Sequence, residues 1–209
     1  MQAPDAGILQ QAIQDFDNAL DLNPELGNIY YNRGFAYYCL KDYQQAIQNF
    51  DNALALNPDD AQAYTNQGVT YFDLKDYQQA IQNFDKALAL YHDDTSVHYN
   101  RAIAYLWQNN IEHARADFTR TWELDATDIE AVWMTAWSSM CQEIPRTSII
   151  ERLETIAVID SQHYLAQISK AVILYLNKNY HEALTVLEHA ISILVHNDQP
   201  LIQLREMIS

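Results

Sequence analysis

The sequence predicts an all-α solenoid of stacked antiparallel helix pairs, and three observations carry that prediction. The nonapeptide Tyr-Gln-Gln-Ala-Ile-Gln-Asn-Phe-Asp occurs at 43–51 and again at 77–85, a shift of 34 residues. The match extends over 40–56 against 74–90, where only Asn52 and Lys86 differ. A fixed period of this length marks stacked supersecondary units, each too small to bury its apolar face alone. Helix breakers are scarce, with Gly 4 and Pro 5 in 209 residues, while Leu, Ala, Ile and Gln abound, as a nearly all-helical chain requires.

The elements follow from the N-terminus. A weaker copy of the motif at 10–24 ends in Asn23-Pro24, and the stronger one ends in Asn57-Pro58. Proline cannot continue a helix, so these pairs stop one and set the phase. The units are then 27–60, 61–94 and 95–128. In each, helix A runs from about the second residue to the fourteenth. A turn follows at Lys41-Asp42, Lys75-Asp76 or Asn109-Asn110, and helix B fills most of the remainder. Small residues recur at the eighth place (Gly34, Gly68, Ala102) and the twentieth (Ala46, Ala80, Ala114). Aromatic residues recur at the eleventh (Tyr37, Tyr71, Tyr105) and the twenty-fourth (Phe50, Phe84, Phe118). The small side chains let A and B approach, and the rings fill the space between repeats.

The ends are less regular. Residues 1–26 supply one B-type helix with Ala12, Phe16, Ala19 and Pro24. The unit 129–163 diverges: Ala136 holds the eighth place, Ser139 replaces the aromatic, and Pro145 with one extra residue shifts helix B to 147–159. The pattern returns over 164–197 with Ala171, Tyr180, Ala183, Leu187 and Ala190. Residues 198–209 read as a short final helix. The sum is twelve helices in a single array: a half-repeat, five pairs and a terminal helix.

These positions resemble the tetratricopeptide repeat, a 34-residue helix–turn–helix. Tyr-Asn-Arg-Gly at 31–34 is a form widespread in its bacterial-type members. The resemblance is specific over 27–128 and weaker at both ends. It implies a right-handed superhelix whose concave groove is lined by A-helix places two, five, six, nine, twelve and thirteen. Carried onto this chain, those places are Asn28, Tyr31, Asn32, Phe35, Tyr38 and Cys39, then Gln62, Thr65, Asn66, Val69, Phe72 and Asp73. The third unit gives Ser96, Tyr99, Asn100, Ile103, Leu106 and Trp107. The fourth gives Glu130, Trp133, Met134, Trp137, Met140 and Cys141. A polar ladder of Asn32, Asn66 and Asn100 thus stands beside an apolar, aromatic stripe.

Two roles fit the asparagines. A carboxamide can pair with a peptide backbone through donor and acceptor together, or it can satisfy neighbouring backbone groups. Two roles also fit Trp133, Met134, Trp137 and Met140, as the interior of a divergent repeat or as a docking patch rich in the residues that interfaces favour. Members of the family that bind chaperone tails grip a terminal carboxylate with lysine and arginine. Here the matching places hold Tyr31, Phe35, Asn66, Ser96 and Asn100, of which only Asn66 fits. One repeat later they hold Thr65, Val69, Asn100, Glu130 and Met134, and only Asn100 fits. A chaperone tail is therefore not the expected ligand.

The chain carries net charge −16, and the first 94 residues hold 14 acidic against 4 basic side chains. Such a balance repels nucleic acid and anionic membranes. It serves solubility alone or favours a partner with basic segments. There is no phosphate loop, nucleophile elbow or pair of metal-binding cysteines. His181 and His189 lie eight apart on one helix, too far to share a metal without a third ligand. Asp59-Asp60 and Asp93-Asp94 precede A helices, where aspartate caps free amides and complements the helix dipole. No catalytic residue, metal or cofactor is expected. Nor is a membrane span or secretory leader, since no long apolar run exists and the first residues lack a basic-then-apolar pattern. Cys39 and Cys141 are three repeats apart. With about 10 Å between packed helices, they cannot bridge and read as reduced thiols of a cytoplasmic protein.

The expected function is non-enzymatic: a scaffold whose groove docks a peptide or helix of a protein partner, apolar with basic character. Two alternatives stand beside it. In the first, the repeats mediate self-assembly, because Leu9, Ile13 and Phe16 of the N-terminal helix cannot all be covered by one neighbour, which invites a homodimer. In the second, the chain is a regulatory fragment of a larger multidomain protein.

Overall fold

The computed structural model describes residues 6–140, 146–159 and 163–196. Among them there are eleven α-helices and no strand: α1 (Ala6–Leu22), α2 (Gly27–Cys39), α3 (Tyr43–Leu56), α4 (Ala61–Asp73), α5 (Tyr77–Leu90), α6 (Thr95–Trp107), α7 (Ile111–Leu124), α8 (Ile129–Met140), α9 (Arg146–Ile159), α10 (Tyr164–Leu176) and α11 (Tyr180–His196). The even-numbered helices from α2 to α10 are the A helices of the five pairs. The last helix expected, at 198–209, and Cys141 lie outside the described residues.

Local chemistry fixes the boundaries. Asp60 and Asp94 cap their helices as expected: Asp60 accepts from the Ala63 N–H at 3.0 Å, and Asp94 from those of Ser96 and Val97 at 3.0 and 3.1 Å. Asp42 and Asp76, read from sequence only as turn residues, cap the B helices by accepting from Gln45 and Gln79 at 3.2 and 3.1 Å. Each A helix before them ends on one left-handed residue, Lys41 (φ 61), Lys75 (φ 64) or Asn109 (φ 58), and Lys178 (φ 62) repeats the device before α11. That conformation lets the N–H groups of Lys41 and Asp42 turn back to the carbonyls of Tyr38 and Tyr37 at 2.8 and 2.9 Å, which satisfies the last turn of the helix.

The helices group into two compact units that divide within α7, after Asp117. In the first, consecutive helices pack from α1 to α6, and the A helices also touch one another, α2 with α4 and α4 with α6. Phe50 and Phe84 are fully buried beside fully buried Ala46 and Ala80. Phe84 shares one core with Val97 and Ala104 of the next A helix, as the sequence predicts. The rings also fill the gap inside their own pair. A Cβ on Gly34 would stand 2.9 Å from the Phe50 ring, and one on Gly68 would stand 2.6 Å from that of Phe84. Even alanine is therefore too large at the eighth place in these repeats.

A second, polar period ties the A helices of this unit to flanking B helices, on both sides for α2 and α6 and to the preceding one for α4. Arg33 donates to Asp17 and, at 2.7 Å, to Asn49 Oδ1. One repeat on, Gln67 reaches Asp51 at 2.7 Å, and the buried Asn83 Oδ1 is left without a partner. One repeat further, Arg101 bridges Asp85 at 2.6 Å and both oxygens of Asp117 at 2.7 and 2.8 Å. The buried His98 adds Nδ1 at 2.9 Å from Asp117 and Nε2 at 2.9 Å from the His92 carbonyl oxygen. Burial pushes the Asp117 carboxyl up, but the hydrogen bonds and charges of Arg101 and His98 outweigh it and hold the group below its ordinary value;.

In the second unit α8 packs on α9, α9 on α10 and α10 on α11, with α8 also touching α10. Leu153, Ile156, Leu165, Ile168 and Ala171 form its interior. The divergent pair starts where the sequence places it, at Ile129, and its second helix starts one residue early, at Arg146.

Candidate functional site

The A helices of the first unit present the places expected to line a groove, and the structure sorts them into two kinds. One kind joins neighbouring repeats. Asn66 donates through Nδ2 to the Tyr31 hydroxyl at 2.7 Å, and the Tyr38 hydroxyl donates to Asp73 Oδ2 at 2.9 Å. Both bonds link a residue of α2 to one of α4, 35 positions on. Asn66 thus spends a donor inside the protein. The Thr65 hydroxyl turns back to the Ala61 carbonyl at 2.8 Å. Val69 and Phe72 are half-buried and pack against the Phe84 core.

The other kind keeps surface of its own. Phe35 is 48% exposed and stacks on Tyr38, with centroids 6.3 Å apart and planes at 28°. Tyr38 in turn meets Tyr43 at 5.9 Å. Asn32 is exposed, while Tyr99, Asn100 and Ile103 are half-buried. A further ring set runs from Phe72 to Tyr77 at 5.4 Å and on to Trp107 at 5.7 Å, nearly parallel at 14°. The face therefore offers aromatic surface and carboxamides on helices that are packed at their backs.

The electrostatics keep the tyrosines as hydroxyl donors. Burial raises the Tyr31 pKa, with the Asn66 bond acting against it and Asp60 with it. Burial also raises Tyr38, helped by the hydrogen bond and the charge of Asp73. Tyr43 is raised by burial and then by Asp73. Burial likewise raises Cys39, which is a free thiol and a poor nucleophile in that setting. Among the described residues no three His, Cys, Asp or Glu side chains converge on a point. No described helix is long and apolar enough to cross a membrane.

In the second unit Trp133 and Met134 are buried, at 9% and 7% exposed, and Trp137 is half-buried. Of the two roles the sequence leaves open, burial favours packing for Trp133 and Met134, and Trp137 keeps surface to offer. The side chain of Met140 is outside the described set. On α1, Ile13 is buried and Leu9 and Phe16 are half-buried, while Ile8 is 69% exposed. Packing on α2 therefore covers part of the apolar stripe. Tyr43, Tyr77 and the partner of Asp73 were not legible as site features. They open or flank helices by sequence, and only the fold brings their rings beside the A-helix face.

Comparison with known proteins agrees with the repeat pattern. Tetratricopeptide repeat families match residues 25–93 and 71–136, and a TPR repeat family matches 5–41. The chain superposes on YrrB, described as a TPR protein with an unusual peptide-binding site, with a TM-score of 0.71 at 23% identity over 90% of this chain and 94% of that one. PilF of Pseudomonas aeruginosa gives 0.73 at 16% identity, over 96% of this chain and 89% of that one. The first TPR of Spaghetti, solved with an HSP90 peptide, gives 0.53 at 24% identity, over 55% of this chain and 91% of that one. No curated protein matches the chain in sequence.

Proposed function

The chain belongs to the tetratricopeptide repeat family, and on that premise we propose that it is a non-enzymatic interaction module whose A-helix face docks a segment of a protein partner. The observation that carries this is the exposed Phe35, stacked on Tyr38, with half-buried Tyr31, Phe72 and Tyr99 and the carboxamides of Asn32 and Asn100 at the other groove places of α2, α4 and α6. Aromatic side chains with polar handles supply large contact area at low entropic cost, which is why they dominate binding hot spots. The ligand is an extended or helical segment with apolar anchors and basic character, matched to the net charge of −16. In the second unit, taken by itself, half-buried Trp137 offers a further aromatic surface. The cytoplasm is the compartment that suits a free Cys39.

The test selects peptides from a random display library on the purified chain and titrates the best binders. Changing Tyr31, Phe35 and Tyr99 together to alanine raises Kd roughly a hundredfold and leaves the helical circular dichroism unchanged. Undiminished binding by the triple variant rejects the face. A second reading, self-assembly through α1, is favoured by the exposure of Ile8 beside half-buried Leu9 and Phe16. Light scattering that gives a mass of 24.2 kDa at every concentration removes it.

A further inference from the structure

The docking face of the first unit carries a single charge. Among the groove places of α2, α4 and α6, Asp73 is the only acid, and none holds lysine, arginine or histidine. The two arginines of these helices are engaged elsewhere, Arg33 with Asp17 and Asn49, Arg101 with Asp85 and Asp117. Asp73 itself is exposed. Lys41 and Lys75 stand on the turns after α2 and α4, yet the ion pairs among the described residues of the unit involve neither of them and do not involve Asp73. Its one hydrogen bond comes from the Tyr38 hydroxyl to Oδ2, so Oδ1 remains an open acceptor.

What surrounds this carboxylate is aromatic. Tyr38, whose hydroxyl touches Asp73, is the middle ring of the series Phe35–Tyr38–Tyr43, with centroids 6.3 and 5.9 Å apart. The Asp73 charge also reaches the Tyr43 hydroxyl. The faces of aromatic rings attract cations. A guanidinium combines a flat surface that stacks on rings with N–H donors that match a carboxylate. We infer that Asp73 and the rings of Phe35, Tyr38 and Tyr43 form a subsite for an arginine side chain of the docked segment. The inference rests on the reading of the A-helix face as the docking face, and it makes that reading specific: arginine anchors at the junction of the first two full repeats, and a terminal carboxylate is repelled there.

The variant Asp73→Asn separates charge from structure, because an asparagine Oδ1 still accepts from Tyr38. Phe35→Ala removes an exposed ring with little effect on packing. The probe is Nα-acetyl-arginine methylamide, titrated into the isotope-labelled full chain, with the neutral citrulline analogue as control. The expected result is saturable shifts in the NMR signals of residues 35, 38, 43 and 73 with arginine. Apparent affinity falls roughly tenfold for citrulline, for Asp73→Asn and for Phe35→Ala. Absence of saturable shifts, equal shifts with citrulline, or shifts spread evenly over exposed acids such as Asp15, Asp21 and Asp59 overturns the inference. A library-selected peptide distinguishes the two levels. If its binding depends on Tyr31 and Tyr99 but is indifferent to Asp73→Asn, the subsite falls and the docking face stands. If it depends on none of these residues, both fall.

Discussion

The two helices of a repeat have diverged to very different degrees. Between the B helices α3 and α5 one residue differs, Asn52 against Lys86. Both carry a fully buried alanine and phenylalanine and an aspartate cap. Between the A helices α2 and α4 the shared residues are Tyr30 and Tyr64, Asn32 and Asn66, Gly34 and Gly68, and Tyr37 and Tyr71, and the others change. A B helix packs against its own A helix and against the next one, so nearly every position is constrained. An A helix turns one side outward, and there Phe35 becomes Val69 and Cys39 becomes Asp73. Structure is thus written in the B helices, and what distinguishes one repeat from the next is written in the A helices. The sharpest instance is a pair of identical asparagines. Asn49 Oδ1 receives a hydrogen bond from Arg33, whereas Asn83 Oδ1, in the same motif, is buried without one because Gln67 stands where the arginine would be.

Substitutions at four positions break or sharpen this comparison. The largest effect belongs to Asp117 of α7, the B helix of the third full repeat. Asp117→Ala leaves the His98 Nδ1 without Asp117 and Arg101 with Asp85 alone, and costs roughly 3–5 kcal/mol, read by urea unfolding. The same residue gives a pH signature. Its folded pKa lies below the ordinary 3.8, so its contribution is complete above that value and is lost as pH falls through the lower folded one. In Asp117→Asn that acid limb of the stability curve disappears. Next comes Ala80→Leu, or Ala46→Leu in the first repeat. Each places a large side chain where no surface is exposed and costs roughly 1–3 kcal/mol, with midpoint denaturant concentrations reporting the loss. The smallest effect is a gain. Gln67→Arg copies the arrangement of its neighbours, bridges Asp51, satisfies Asn83 Oδ1 and stabilises by about 1 kcal/mol. A neutral or destabilising result would mean that the unpaired oxygen is not the weak point of that junction.

Much of this was legible in the sequence, for physical reasons. The 34-residue period, the small and aromatic places and the Asp60 and Asp94 caps are local or strictly repeated, and spacing alone reveals them. The polar junctions were not legible. Asp17, Arg33 and Asn49 sit on three different helices, and which side chains meet depends on reach and crossing angle rather than on residue order. The same limit hid the Tyr31–Asn66 and Tyr38–Asp73 bonds. They convert part of the expected ligand-binding ladder into ties between repeats. Trp133 shows a third limit. Its place in the A helix marks it as a groove residue, yet it is 9% exposed, because the divergent pair packs a large ring where regular repeats place a smaller side chain.

The division of labour between the helices is tested most directly by mapping amide and ring NMR shifts of the full chain on saturation with a library-selected peptide. Shifts concentrated on the A helices, at 31–38, 65–73 and 99–107, with the exposed B-helix positions Gln48, Gln82 and Lys86 unmoved, are the predicted result. Shifts centred on those B-helix positions would contradict it.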